Sequence, residues 1–258
     1  MLLSTEGLLL LCIGFFVVAT LYSSVGFGGG SSYLALLTLT LLGFFAIRSL
    51  ALVCNLVVVS TSTYLYFKHG HAKIKDFLPF ILTSIPLAFI GASFKLKENV
   101  FFVILGLSLI VSSLFLAWQT LASTTGLEKV KAYPKFISYL IGAGIGLLSG
   151  MVGIGGGIFL APILNHMRWD KSIKIAALAS FFILVNSISG LGGLLWANTL
   201  ELPPIETLAL LTAVFLGGQL GIRISLKRLS PNGIKRVTAL LVFAVGLRVL
   251  FKNGLELF

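Results

Sequence analysis

The chain has 258 residues, of which 57% are hydrophobic and only 10% charged, and its formal net charge is +11. A soluble domain carries about a quarter charged residues, so a soluble globular fold is excluded, and several apolar runs reach the ~20 residues that a membrane-crossing helix needs. The basic residues are scattered through short loops rather than gathered on one face, which excludes nucleic acid as a partner and points to lipid headgroups.

The first stretch, MLLSTEGLLLLCIGFFVVATLYSS, lacks the basic start of a signal peptide, carries Glu6 there, and offers no A-x-A cleavage site. It is therefore read as part of the mature protein. It runs directly into VGFGGGSS, Val25 to Ser32, where four of eight residues are glycine, the worst helix former after proline. Residues 7–47 thus read as one glycine-broken segment, followed by ordinary spans near 50–67, 77–94 and 100–118. After a polar join at 122–135 the pattern returns: a broken segment at 136–164 containing VGIGGGIF, Val152 to Phe159, then spans near 172–196, 205–222 and 234–251. Each half next has an asparagine in its second segment (Asn55, Asn186), a Leu-Pro pair (Leu78-Pro79, Leu202-Pro203) and a matching FIGA or FLGG, all in the same order. An internal repeat decides the fold before anything else. The expected division is a first transmembrane repeat at 1–121, a connecting loop at 122–135 and a second repeat at 136–258.

The second broken segment has about 29 residues, or about 43 Å of helix at 1.5 Å per residue, against a hydrocarbon core of about 30 Å. A hairpin of two short helices with glycines at its tip fits that length. Charge supports the hairpin. If each broken segment returns to its own face, one side of the membrane holds 14 Lys and Arg and the other 5; if each crosses once, the split is only about 11 to 8. A hairpin and three crossings per half put the second half upside down. The predicted fold is an all-α polytopic membrane protein of two inverted repeats, each a glycine-broken helical hairpin plus three transmembrane helices.

Backbone that leaves a helix inside the bilayer needs protein or a polar cavity around it, and a helix restarting there exposes N–H groups and the positive end of its dipole. Two such ends meeting near the midplane can hold an anion without a buried cation. The candidate substrate-binding residues are Ser24, Gly26, Gly28, Gly29, Gly30, Ser31 and Asn55 in the first half, with Gly153, Gly155, Gly156, Gly157 and Asn186 in the second. Ser31 and Ser32 are expected to cap the first restarted helix. Ser23, Ser60, Ser62, Ser149, Ser180, Ser187 and Gln219 are supporting polar residues, each also able to serve as a hydrogen-bond partner between helices. Arg48, Glu206 and Arg248 fall near segment ends, where they are expected to snorkel. Cys12 and Cys54 lie in apolar runs without metal or redox spacing, the histidines fall in or beside basic loops, and no H-E-x-x-H or G-x-S-x-G motif is present. No cofactor, metal or catalytic constellation is expected.

With these motifs in order, the sequence resembles the TauE/SafE sulfite exporter family, also called toluene sulfonate uptake permeases. The likeness rests on the two V-G-x-G-G-G breaks, the asparagine- and serine-bearing spans, and the P-x-x-x-x-G stretch from Pro86 to Gly91. It implies a secondary transporter of small sulfur-containing or organic anions (sulfite, sulfonates, sulfoacetate) in a prokaryotic cytoplasmic membrane, with protons as the candidate coupling ion and a homodimer as the candidate assembly. One departure stands out: Lys95 replaces the second glycine of a G-x-x-x-G that the other half keeps as Gly217 and Gly221, which leaves close helix packing open there. Two other readings stay open at this stage: an anion sensor or accessory subunit without transport, and an intramembrane enzyme, which the missing catalytic motifs disfavour.

Overall fold

A computed structural model describes residues 4–24, 28–71, 73–121, 130–131, 133–225 and 231–254. The described residues form ten α-helices: α1 Thr5–Ser24, α2 Gly30–Leu37, α3 Phe44–Lys68, α4 Ile74–Ser93, α5 Glu98–Leu121, α6 Lys135–Val152, α7 Gly157–Met167, α8 Ser172–Trp196, α9 Pro204–Ser225 and α10 Pro231–Arg248, the last extended by a π-helical turn at Val249–Gly254. Seven of them, α1, α3, α4, α5, α6, α8 and α9, are long and apolar enough to cross a membrane. The all-helical class expected from composition therefore holds.

The expected hairpins are unequal. In the first half the arms are the 20-residue α1 and the 8-residue α2; in the second they are the 18-residue α6 and the 11-residue α7. Only the second arms are short. The first broken segment also ends earlier than its apolar run suggested. Thr38 and Thr40 turn their hydroxyls back to the Ala35 and Leu37 carbonyls, and Gly43, in extended conformation, leads into α3 at Phe44.

Hydrogen bonds tie the start of α6 to the end of α7: the Lys131 N–H donates to Arg168 O at 3.0 Å, and the Tyr133 hydroxyl donates to Met167 O at 2.9 Å. The beginnings of α4 and α8 meet beside them, where Lys174 bridges Asp76 and Asp170 at 2.7 and 2.8 Å. At the opposite end, the Glu201 N–H before α9 donates to Ser49 Oγ near the start of α3, and Phe44 packs on Phe101 of α5.

Small residues set the helix partnerships. A methyl group on Gly142, Gly146 or Gly150 of α6 would strike the backbone of Phe80, Ser84 or Ala88 of α4. A methyl on Gly217 or Gly221 of α9 would likewise strike Phe16 or Thr20 of α1. Both sets advance in the same direction, so α6 runs parallel to α4 and α9 parallel to α1. By the same registers α3 runs antiparallel to α8, with Leu52 beside Gly190 and Phe67 on Phe181, and α5 antiparallel to α10, with Gly106 beside Leu250 and Gly246 beside Leu109. Backbones in such close contact gain dispersion and weak C–H···O contacts that bulky residues would forbid. Lys95 does not loosen α4 after all: Gly91 itself abuts the Leu147 carbonyl, and α6 supplies the other glycines of that seam.

Candidate functional site

The helix α6 stops at Val152 because Gly153 takes the left-handed conformation, φ 85°, while its N–H still donates to Ser149 O. Gly155 and Gly156 follow at φ 84° and 83°. Three left-handed residues within four positions cost an ordinary L-residue about 1–2 kcal/mol each, so the V-G-I-G-G-G word is a conformational requirement here. The helix α7 then restarts at Gly157, with the Phe159 and Leu160 N–H groups both on Gly156 O. The first break differs: Gly29, which precedes α2, sits at φ −90°. Gly26 lies outside the described residues, as does the side chain of Ser24.

The two tips touch. Asn55, near the middle of α3, donates from Nδ2 to the Ile154 carbonyl of the other half's tip at 2.9 Å. A methyl on Gly28 would lie 2.9 Å from Asn55 Oδ1, and one on Gly30 would meet Asn55 Nδ2 and come within 2.5 Å of Ile154 O. On Gly155 it would lie 3.2 Å from both Asn55 Nδ2 and Ser187 Oγ, and on Gly156 3.2 Å from the Ser149 Cβ. Ile183 of α8 packs against Gly28, Gly155 and Gly157 together. Asn55, Gly28, Gly30, Gly155, Ser187 and Ile183 thus form one cluster, with Gly156 and Ser149 beside it. Gly29 faces Tyr33 and Val18 instead.

Polar atoms accumulate in this region without protein partners. Tyr33 OH, Asn55 Oδ1, Ser149 Oγ and Ser187 Oγ, all on residues that line the tip glycines, are buried with no hydrogen bond, as are Ser31 Oγ next to Gly30 and both amide atoms of Asn186, the neighbour of Ser187 on α8. Helical serines can return their hydroxyl to the carbonyl four residues back, as Ser49 and Ser93 do; these do not. Each unsatisfied buried polar group costs about 1–3 kcal/mol. The capping expectation is corrected here. Neither α2 nor α7 has a side-chain cap; Ser31 and Ser32 lie within the first turn, and Ser32 Oγ pairs with the Tyr22 hydroxyl at 2.8 Å.

The snorkelling expectation is also corrected for two of three residues. Arg248 is exposed, but Glu206 is buried in the first turn of α9, where a carboxylate complements the helix dipole. Arg48 is 0% exposed. Its Nη2 donates to Ala92 O at 3.2 Å and Gly150 O at 3.1 Å, and its guanidinium lies 5.7 Å from the Phe101 ring centre. Sequence reasoning missed this residue because it began the second span at Leu50. The run Phe44 to Ile47 just before it was the signal that α3 starts earlier. Ser60 is exposed and Gln219 reaches Thr61 Oγ1, so both stand apart from the cluster. Among the described residues no group of His, Cys, Asp and Glu could hold a metal ion.

Known proteins resemble this chain over nearly its whole length. The family described as "Sulfite exporter TauE/SafE" matches residues 10–249. "Probable membrane transporter protein y4hK" of Sinorhizobium fredii is 34% identical over 242 residues, 93% of this chain and 97% of that protein. "Probable membrane transporter protein" of Haemophilus influenzae is 28% identical, over 85% of this chain and 79% of that protein. "Probable membrane transporter protein MJ0441" of Methanocaldococcus jannaschii is 29% identical, over 94% of each. No solved structure matches. With a family match over most of its residues and transporter relatives in bacteria and an archaeon, the chain belongs to the TauE/SafE sulfite exporter family of multi-pass membrane proteins, a family of transporters and not of enzymes.

Proposed function

We propose that this protein is a secondary transporter of small sulfur-containing or organic anions, such as sulfite, sulfonates or sulfoacetate, and that the two glycine tips form its substrate site. The observation that carries the proposal is the set of buried, unpaired hydroxyl and amide groups around the tips. Hydroxyls and amide N–H groups can donate to an oxyanion, and the opening turns of α2 and α7 add uncapped backbone N–H groups. Such a site binds through dipoles rather than a full charge at its centre, which suits a carrier that must also release.

The two sequence repeats are taken as an inverted pair. Supporting this, α6 and α7 meet at their outer ends, α3 opposes α8, and α5 opposes α10. The tips are in contact through Asn55 and Ile154, which makes this a closed arrangement. Passage of substrate requires them to part. The bodies that move apart are not the two sequence halves, because α1 is seated on α9 and α6 on α4. Alternating access is therefore a rocking of mixed bundles against each other.

The test is flux of labelled sulfite and methanesulfonate into proteoliposomes. Saturable flux is expected, and Ser149→Ala with Ser187→Ala is expected to lower it about tenfold in protein that remains monodisperse, the loss of one to two hydrogen bonds to an anion. The double change Gly29→Leu with Gly156→Leu is expected to abolish it. Binding without flux would replace the carrier by an anion sensor.

A further inference from the structure

Arg48 stands on α3 about two turns before Asn55, wholly inside the protein. One nitrogen, Nη2, serves two carbonyls near the C-terminal ends of α4 and α6. Those helix ends carry partial negative charge and offset part of the cost of burying the cation. Nε and Nη1 are buried and unpaired, and among the described residues no ion pair includes Arg48. A buried cation lacking a counter-ion is expensive, and inside a membrane it marks an ion path by default.

Its place is equally informative. A methyl on Gly153, the residue that opens the second break, would lie 3.4 Å from Arg48 O and 3.5 Å from its Cβ. The guanidinium, held on the Gly150 carbonyl three residues before that break, lies beside the tip, on the side where α3 begins and α4 ends. The internal repeat gives it no counterpart. Counting seven residues back from Asn186, as from Asn55 to Arg48, reaches Ala179, whose carbonyl packs against Gly157. One flank of the site is charged and the other is not.

We propose that Arg48 is an anion-receiving residue: on the side where α3 begins, an oxyanion's oxygens accept the unused N–H groups of Nε and Nη1 on the way to or from the glycine tips. This rests on the anion-carrier reading. A guanidinium offers several directed, charge-assisted donors to two oxygens of one sulfonate or sulfite, which an ammonium cannot match. It also favours a dianion over a monoanion, whereas dipolar donors at the tips discriminate less by charge.

The experiment measures binding in detergent and flux in vesicles, side by side, for sulfite, methanesulfonate (one charge) and sulfoacetate (two charges). In Arg48→Lys, which keeps the charge but not the planar fork of donors, the sulfite KM and Kd are expected to rise about tenfold, with turnover within about threefold. In Arg48→Gln the preference for sulfoacetate over methanesulfonate is expected to fall about tenfold. A purely structural role would lower both anions alike. Unchanged KM and Kd in folded Arg48→Lys would overturn the proposal, and so would an unchanged dianion preference in folded Arg48→Gln. If Arg48→Gln does not fold, Arg48→Lys decides alone. Arg48-dependent binding with no flux in the wild type would sink the carrier reading while upholding the Arg48 site. No binding of any of the three anions by the wild type would sink both.

Discussion

Asn55 does two jobs with one amide. Its Nδ2 closes the two tips by donating to the Ile154 carbonyl, and its Oδ1 lies beside Gly28 without a partner. Replacing it with leucine removes a bond across the site and strands a buried carbonyl. Asn55→Leu is expected to destabilise the closed form by about 1–3 kcal/mol and to reduce sulfite flux at least tenfold, read by thermal unfolding in detergent and by uptake in vesicles. The prominence of Asn55 was legible in the sequence because the repeat set it opposite Asn186. Its partner was not, since a bond between residues 99 positions apart leaves no local pattern. Arg48 was harder still. A charge near the end of an apolar run reads as one that reaches for water. Only the packing of α4, α5 and α6 around it makes it interior.

Among the helices, glycines serve two distinct purposes that the sequence writes with the same letter. At Gly153, Gly155 and Gly156 the requirement is a positive φ. At Gly142, Gly146 and Gly150 it is clearance from α4. Gly144 serves neither purpose, having nothing within 4 Å of its would-be side chain. Gly146→Leu is therefore expected to cost about 3 kcal/mol or more, as overpacking against backbone does, whereas Gly144→Leu is tolerated. Fluorescence-detected gel filtration of the two variants separates them: loss of the monodisperse peak for the first, retention for the second. The break motifs themselves were readable because glycine is so poor in a helix. The early end of α2 at Leu37 was not, because the apolar run continues to Ile47 and only the Thr38 and Thr40 hydroxyls on the Ala35 and Leu37 carbonyls mark the turn.

For the whole molecule, the positive-inside count and the hairpin together predict an orientation, and it can be checked directly. Cysteines placed at Lys131, Lys171 and Lys97 in a cysteine-free background are expected to react with an impermeant maleimide, the first two from one face and Lys97 from the other. Labelling of positions 131 and 171 from opposite faces would sink the inverted arrangement. Most of the apolar spans were legible in one dimension because hydropathy needs no partner; the exception is the span expected at 234–251, whose helix α10 is not among the seven long and apolar enough to cross a membrane. Which helix lies beside which was not legible. That information is carried by small residues whose partners lie more than 50 positions away in the α4–α6 seam and about 200 away in the α1–α9 seam.

The seating of α1 on α9 bears on how the protein is made. The glycines that receive α1, Gly217 and Gly221, leave the ribosome only after some 200 further residues. Until then the first helix has α2 against it but lacks its main seat, whereas the second half's α6 meets its own support, α4, immediately. Assembly is thus interlaced: neither repeat can be completed before the other is present, and long-range closure of this kind is slow. A polypeptide ending at residue 121 is expected to be degraded or protease-sensitive, and to regain resistance when residues 122–258 are co-expressed beside it. Two repeats that look in sequence like independent copies are, as an assembled object, each unfinished without the other.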